Sequence, residues 1–474
     1  MDSNGNGNSN GTNGSNSKVW ADKDQAALNM GYKQELKRAL TLGDLIIYGL
    51  IFMVPIAPFG IYGEVATASD GMPALVYTIG MITMIFTAIS YSTMSREFPI
   101  SGSVYAYASR GLNKTVGFFS GWIIIMDYFL IPALLIIVSA AAISAIVPGI
   151  PIWIWAVVFV LINTFVNVIG IEWTAKFNKI VLILELIVFS LFMIFAIKAV
   201  ASGVNGSEFT VMPFYNPEVF SMQSVMGAVS IGVLSYLGFD AISTLGEETK
   251  GGPKTLGKAT ILALFLVGAC FITLTWIAAC LWPDQNAFEN IDTAFYAVAE
   301  AAGGMWLMVL CSVATAFAWG IADALVAQSA ISRVLYSMSR DGYLPKALSK
   351  VHEKYQTPYI ASIFIGVVTL IISIAFGNVE RGIGAIASLV NFGALSCFLV
   401  LHVTVVSHFF IRKKTGNFVK HLLLPAIGFA IIAYVWINLD MNSKILGFSW
   451  LAAGVIYFLV LKFGLKKEIR DFEL

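Results

Sequence analysis

Twelve apolar stretches, each about as long as a membrane-crossing helix, recur along this chain. A bilayer's hydrocarbon core is about 30 Å thick, so a helix that crosses it needs roughly 20 apolar residues. Hydrophobic residues make up 58% of the chain and charged residues 12%, so no water-soluble fold could bury the apolar surface. The stretches are continuous and do not alternate, which excludes a β-barrel. We predict an all-α integral membrane protein whose spans lie at 40–64, 72–95, 116–146, 151–170, 177–200, 222–245, 257–282, 305–335, 358–377, 383–411, 421–438 and 446–464.

The lysines and arginines indicate which loops face the cytoplasm, because cytoplasmic loops retain basic residues. If the N-terminus lies inside, all but three of the 29 basic residues fall in inner segments, and the exceptions are Lys198, Arg381 and Lys444. An even number of spans then predicts a multi-pass protein of the cell membrane with both termini cytoplasmic. The net charge of +1 gives no basis for nucleic-acid binding, and the basic loops face the anionic inner leaflet of the lipid bilayer.

Both ends of the chain read as cytoplasmic tails, 1–39 and 465–474. The N-terminal tail begins with a run of Asn, Gly and Ser that cannot bury a core, so we predict disorder there. It also lacks the pattern of a cleaved signal peptide. The four cysteines and four histidines form no metal-type spacing, and we expect neither a metal nor a cofactor.

Two of the predicted spans contain helix-breaking residues near their middle. In the first span Pro58 removes an amide and clashes with the preceding turn of the helix. The sixth span carries a glycine among aromatic and acidic residues. Such breaks leave backbone groups unpaired, which a membrane tolerates only where they line a cavity. The two clusters are Pro55, Ile56, Ala57, Pro58 and Phe59 in the first span, and Tyr236, Gly238, Phe239 and Asp240 in the sixth.

The two breaks stand in corresponding positions if the chain consists of two five-helix repeats, 40–200 and 222–411, followed by two helices in 421–464. Matched broken helices predict an inverted-repeat transporter that binds its solute near the membrane midplane. The alternative interpretation is a proline kink and a packing glycine without functional meaning.

Four carboxylates fall inside the predicted spans, and no lysine or arginine lies in any span interior. They are Asp127, Glu185, Asp240 and Asp323. A charged carboxylate in the bilayer is costly, so each must be protonated, hydrogen-bonded or matched by a cation. Unmatched acids predict a cationic substrate, a coupling proton, or both. The alternative is that they are neutral acids bonded to a helix break or a tyrosine.

Three motifs in order carry a resemblance to a known family. The run REFPISGSVYAY at 96–107, followed by GFFSGW at 117–122, is similar to an FP-SGG-Y and GW element. SYLGFDAISTLGEETKGG at 235–252 resembles a substrate-helix motif, and SRVLYSMSRDGYLP at 332–345 resembles a motif of the eighth helix and the following loop. The chain therefore resembles the amino acid, polyamine and organocation superfamily of permeases over nearly its whole length. Asp127-Tyr128, LGFDAISTLGEET and the run VNFGAL at 390–395 resemble the putrescine importers of bacteria.

This resemblance implies a LeuT-type five-plus-five fold and uptake coupled to protons or, less often, to sodium. It implies a substrate site between helices one, three, six, eight and ten, which places Pro55 to Phe59, Asp127 and Tyr236 to Asp240 at the substrate. Glu185 and Asp323 are the candidate coupling residues.

Two departures from the family pattern bear on the substrate. Amino-acid members usually offer a Gly-Ser-Gly stretch on helix one whose amides receive the substrate carboxylate. Here Pro58 has no amide to offer, which favours an amine. Many amino-acid members also place a lysine on helix five where this chain has Glu185. We expect a proton-coupled importer of a small, putrescine-like amine, with a proton- or sodium-coupled amino-acid importer as the alternative. An enzyme or a channel finds no support, since no nucleophile and base cluster and no selectivity filter is visible.

Overall fold

The computed structural model describes residues 40–98, 103–147, 149–169, 172–250, 253–340, 344–355, 357–377, 379, 382–460 and 463. Within these residues, ten helices are long and apolar enough to cross a membrane, and a bent helix pair adds an eleventh span. A further span consists of shorter helical pieces, which brings the total to the predicted twelve. The predicted tails, 1–39 and 465–474, lie outside the described residues.

The twelve spans are numbered α1 to α12 in chain order. The broken spans are α1a, Leu42–Met53, with α1b, Pro58–Ala68, and α6a, Met222–Gly232 and Val233–Tyr236, with α6b, Phe239–Glu248. The others are α2, Pro73–Glu97; α3, Lys114–Ser144; α4, Ile152–Ile169; α5, Glu172–Ala201; α7, Pro253–Leu281; α8, Met305–Phe317, Ala318–Asp323 and Ala324–Arg340; α9, Tyr359–Gly377; α10, Gly382–Val405 and Val406–Arg412; α11, Val419–Leu423 and Leu424–Ile437; and α12, Met441–Leu459.

Two short loop helices, Ser103–Gly111 and Ala294–Gly303, were not predicted. The predicted end of the first span at residue 64 was also too early. Because a turn interrupts the helix at 54–57, the chain needs residues as far as Ala68 to complete the crossing. Glu64, the last residue of the predicted span, lies inside α1b and is buried, although the sequence analysis did not include it among the acids within spans.

The break in α1 lies where the sequence predicts it. Val54 ends α1a with φ at 45°, a conformation that costs a β-branched residue energy and is found mainly at functional sites. Pro58 begins α1b at the first helical position, where its missing amide would be unpaired anyway. The two halves are bent by 59°.

The break in α6 depends on Gly238, whose φ of 106° favours glycine. A Cβ atom on Gly238 would lie 2.6 Å from Cδ1 of Phe52, so glycine is also what allows α6 to approach α1a. The two interrupted segments are therefore in direct contact.

Burial distinguishes the inner helices of the bundle from the outer ones. In the most apolar 18-residue stretch of each helix, 78% of α3 and 72% of α10 is buried, whereas only 17% of α12 is. The exposed apolar side chains of α5, among them Ile180, Leu184 and Ile187, are typical of a surface that faces lipid. Helices α3 and α10 both contact α1b, and α10 also contacts α6a. The boundaries of the two predicted repeats stay a prediction.

Candidate functional site

Asp240 is the second residue of α6b, directly after the break at Gly238. Its carboxylate accepts hydrogen bonds from the Tyr91 hydroxyl of α2 and from the backbone amides of Gly238, Asp240 and Ala241. Amides at a helix N-terminus and a carboxylate stabilise each other, because the helix dipole favours negative charge there. The break thus holds Asp240 in a defined position.

Asp127 on α3 is the second acid of this region. It is buried, its Oδ1 has no hydrogen-bond partner among the described residues, and its charge interacts with that of Asp240. No ion pair to either carboxylate occurs in the described part of the chain. Two carboxylates whose charges interact, with no base among the described residues to compensate them, repel each other when both are ionised. The arrangement is therefore one that a cation or a proton stabilises.

Helix α10 and an aromatic cluster border this acid pair. A Cβ atom on Gly393 of α10 would lie 3.1 Å from the Cβ of Asp127, so the α10 backbone runs close to that side chain. The Phe239 ring packs 5.7 Å from the Tyr91 ring and 5.7 Å from the Phe398 ring. Phe239 is fully buried in this cluster, next to the carboxylate of Asp240.

The backbone amides of the α1 break are mostly in use. The Ala57 amide donates to the Val54 carbonyl at 2.7 Å, the Phe59 amide to Ile56 at 2.9 Å and the Gly60 amide to Ala57 at 3.2 Å. Proline at 55 and at 58 has no amide hydrogen. Between residues 55 and 60, Ile56 therefore has the one backbone amide that donates no hydrogen bond within this turn. Pro55, Ile56, Ala57, Pro58 and Phe59 are all buried.

Phe59 belongs to a second aromatic cluster at the end of the bundle predicted to face outward. Its ring stacks on Phe295 of the loop helix Ala294–Gly303 with centroids 3.9 Å apart. Phe192 of α5 completes the cluster, 5.8 Å from Phe59 and 4.8 Å from Phe295. The three rings cover the α1 break from that side.

Tyr236, also predicted to bind substrate, faces α2 and α7. Its hydroxyl donates to the Tyr77 carbonyl at 2.6 Å, and its ring lies 5.1 Å from Phe271. It is fully buried, and none of these contacts involves Asp127 or Asp240. The structure therefore uses Tyr236 to hold α6a against α2 and α7.

Glu185 of α5 and Asp323 of α8 form the other acid pair. Both are buried, their charges interact, and Oε2 of Glu185 has no hydrogen-bond partner among the described residues. Asp323 ends a π-helical stretch of α8, Ala318–Asp323. This stretch, Ala318–Asp323, is the wide turn of α8. π-Helical turns are rare and often occur at functional sites. Electrostatic interaction thus links Asp127 with Asp240 and Glu185 with Asp323.

Two asparagines that the sequence analysis did not single out hold these elements together. Nδ2 of Asn163 in α4 donates to the Gly320 carbonyl of the wide turn at 2.7 Å. Nδ2 of Asn391 in α10 donates to the Ser230 carbonyl of α6a at 2.7 Å. An asparagine inside an apolar span is the signal that could have identified both. Among the described residues, no group of three His, Cys, Asp or Glu side chains could hold a metal ion.

The family model of amino acid permeases matches residues 39–461. The chain belongs to this amino acid permease family. The permease is 31% identical to the low-affinity putrescine importer PlaP of Escherichia coli strain K12, over 93% of its own length and 97% of that protein. It is 28% identical to the branched-chain amino acid permease BcaP of Bacillus subtilis, over 92% and 96% of the two chains. The methylthioribose transporter of Bacillus subtilis is 27% identical, over 88% and 91%. The permease is a membrane transport protein and not an enzyme.

Proposed function

We propose that this permease imports a small amine, of the size and charge of putrescine, and couples its uptake to protons. The observation that carries the proposal is the pair Asp127 and Asp240, which interact with each other and have no basic partner among the described residues. An ammonium group between two carboxylates removes their repulsion, and the nearby rings of Tyr91 and Phe239 add cation–π attraction of about 1 to 2 kcal/mol when water is excluded.

The α1 break supports an amine over an amino acid. A substrate carboxylate needs free amides or a basic side chain. Three of the four amides between 55 and 60 are bonded within the turn, and no basic residue lies in the span interiors. The relative from Escherichia coli, which is named a putrescine importer, agrees with this proposal.

The second candidate is an importer of amino acids, coupled to protons or sodium. It is favoured by the relative from Bacillus subtilis that is named a branched-chain amino acid permease. In that case the one amide left at the break, that of Ile56, would receive the carboxylate, and Asp240 would receive the substrate's ammonium group.

Glu185 and Asp323 are the groups we propose for coupling. They are two buried acids on α5 and α8 with charges that interact, so binding or release of one proton changes the electrostatic energy of the pair. We further propose that the protein lies in the plasma membrane with both termini in the cytoplasm. The distribution of basic residues supports this orientation.

A matched pair of competitors tests the substrate class. Ornithine is putrescine with a carboxylate added, so the two compounds differ in the group that the α1 break is proposed to exclude. In proteoliposomes with an inward proton gradient, unlabelled putrescine should displace labelled putrescine at least about tenfold better than ornithine does, a difference of about 1.4 kcal/mol. If leucine or ornithine competes better than every amine, the amino-acid function is correct. Uptake that needs sodium and ignores a protonophore would contradict proton coupling.

A further inference from the structure

We propose that Asn163 of α4 is a positioning residue for Asp323, acting through the wide turn of α8. The inference rests on the coupling role proposed for Asp323, since it adds the residue that sets the place of that acid. Asn163 is buried, and its amide group donates from Nδ2 to two carbonyls, that of Phe159 in its own helix at 2.8 Å and that of Gly320 in α8 at 2.7 Å.

The wide turn depends on support from outside α8. A π-helical turn departs from the regular i to i−4 hydrogen-bond pattern, and here the Gly320 carbonyl accepts a hydrogen bond from outside the helix. In an apolar interior a polar group without a partner is costly, which makes a donor such as Asn163 valuable there. Gly320 is three residues before Asp323, so fixing its carbonyl fixes the last turn before the acid.

Gly320 is also the residue that permits this contact. A Cβ atom there would lie 2.6 Å from the Cβ of Ser139 in α3 and 3.0 Å from Cε1 of Phe159 in α4. Without a side chain, the α8 backbone can lie directly against α3 and α4. Asn163 can therefore reach the carbonyl of the wide turn.

Unfilled acceptors around the wide turn point to more than packing. Oδ1 of Asn163 and Oε2 of Glu185 are both buried and without a hydrogen-bond partner among the described residues. Buried polar atoms in native proteins are nearly always paired, so orphans of this kind need an explanation. Both oxygens can accept a further hydrogen bond, and the carboxylate of Glu185 can also bind a proton.

Glu185 of α5 is the titratable group whose charge interacts with Asp323. Ser139 of α3, Asn163 of α4 and Gly60 of α1b, which lies against the Trp319 ring, are neutral. Helix α1a also contacts the wide turn, and its titratable residues are Asp44 and Tyr48. The repulsion between two acids depends on their separation. A displaced wide turn would therefore change the pH at which Asp323 binds its proton.

Asn167 provides a matched control. It lies one turn further along α4, is also buried, and donates from Nδ2 to the Leu325 carbonyl at 3.3 Å and to Oε1 of Gln328 at 3.2 Å. Those partners come after the wide turn. Asn163→Leu and Asn167→Leu thus remove the same kind of interhelical hydrogen bond at two different places in α8.

The test is the pH dependence of carbodiimide labelling at Asp323. Dicyclohexylcarbodiimide reacts with protonated carboxyl groups in apolar surroundings, and mass spectrometry of the full-length protein in proteoliposomes reports the modified residue. We expect Asn163→Leu to shift the midpoint of Asp323 labelling by at least about half a pH unit, and Asn167→Leu to leave it unchanged. Asn163→Ser, which is too short to reach Gly320, should reproduce the shift if the leucine variant fails to insert.

The labelling does not depend on transport, so it separates the two proposals. If wild-type uptake has no pH midpoint, proton coupling fails, whereas the role of Asn163 is still decided by the labelling. Equal shifts in the Asn163 and Asn167 variants, or none in either Asn163 variant, would overturn the inference. With coupling intact, the midpoint of uptake should move in the Asn163 variants while the KM for putrescine stays within about threefold.

Discussion

Gly238 of α6 lies against Phe52 of α1a so closely that a methyl group on the glycine would fall 2.6 Å from the phenylalanine ring. The breaks in the two helices are therefore one structural unit and not two separate kinks. A movement of α1a relative to the bundle must be passed to the residues that hold Asp240.

Gly238→Ala should strongly reduce uptake, because the new Cβ clashes with Phe52 and the backbone φ of 106° is unfavourable for alanine. We expect at least about a tenfold loss of initial rate, equivalent to about 1.4 kcal/mol or more. Gly227→Ala in α6a is the matched control, since nothing lies within 4 Å of a Cβ there. Uptake and membrane insertion should be measured for both. Normal uptake by Gly238→Ala would show that contact between the breaks is dispensable.

Asp127→Asn should weaken putrescine binding by about a hundredfold, or about 3 kcal/mol, because it removes one of the two charges that match an ammonium group. Binding is measured by competition in proteoliposomes. Asp240→Asn should also abolish competition, but it disturbs the amides and the Tyr91 hydroxyl that its carboxylate accepts from. Asp127→Asn is the cleaner variant, since Oδ1 of Asp127 has no hydrogen-bond partner among the described residues. Unchanged affinity would remove Asp127 from the site.

Glu185→Gln should flatten the pH dependence of uptake and change the KM for putrescine by less than about threefold, or about 0.7 kcal/mol. Glutamine resembles the permanently protonated acid, so the pair with Asp323 can no longer exchange a proton at that position. The measurement is initial uptake across a pH series at constant sodium. A pH profile identical to wild type would assign Glu185 a purely structural role.

Trp122→Phe should lower the Tm of the purified protein by about 1 to 2 °C and leave the preference for putrescine over ornithine unchanged. Trp122 of α3 and Trp450 of α12 each donate from Nε1 to the other's carbonyl at 2.9 Å, and their rings stack 4.9 Å apart. The pair thus attaches α12 to a central helix. Trp450→Phe and the double variant complete a double-mutant cycle, which measures the interaction energy between the two tryptophans. A changed substrate preference would place Trp122 in the transport path.

The spans and the two breaks could be predicted because their signals are local. Apolar length defines a crossing helix, and Pro58 and Gly238 each mark a place where a helix cannot continue. The electrostatic linkage of the acids could not be predicted in this way, since Asp127 and Asp240, or Glu185 and Asp323, are brought within range of each other only by tertiary packing. The orientation of Tyr236 toward α2 depends on packing as well.

Other features gave no clear local signal. The end of α1 at Ala68 follows from the rise lost in the turn at 54–57, which apolar length alone does not reveal. The wide turn of α8 has ordinary helix-forming residues on both sides of Gly320. The hydrogen bond by which Asn163 supports this turn joins two residues that are 157 positions apart in the chain.

Phe59 belongs both to the α1 break and to the ring cluster with Phe192 and Phe295. Exposing the break to the predicted outer side requires these rings to separate. Aromatic pairs contribute about 0.5 to 1.5 kcal/mol each beyond the area they bury, so losing the contacts of Phe59 with Phe192 and Phe295 would cost about 2 kcal/mol and would leave about 3% of the empty carriers open. Substrate arriving from outside then binds with an apparent affinity about thirtyfold weaker than that of the open form itself. A low affinity measured from outside would thus reflect how seldom the empty carrier opens, even if the acid pair holds its ligand tightly.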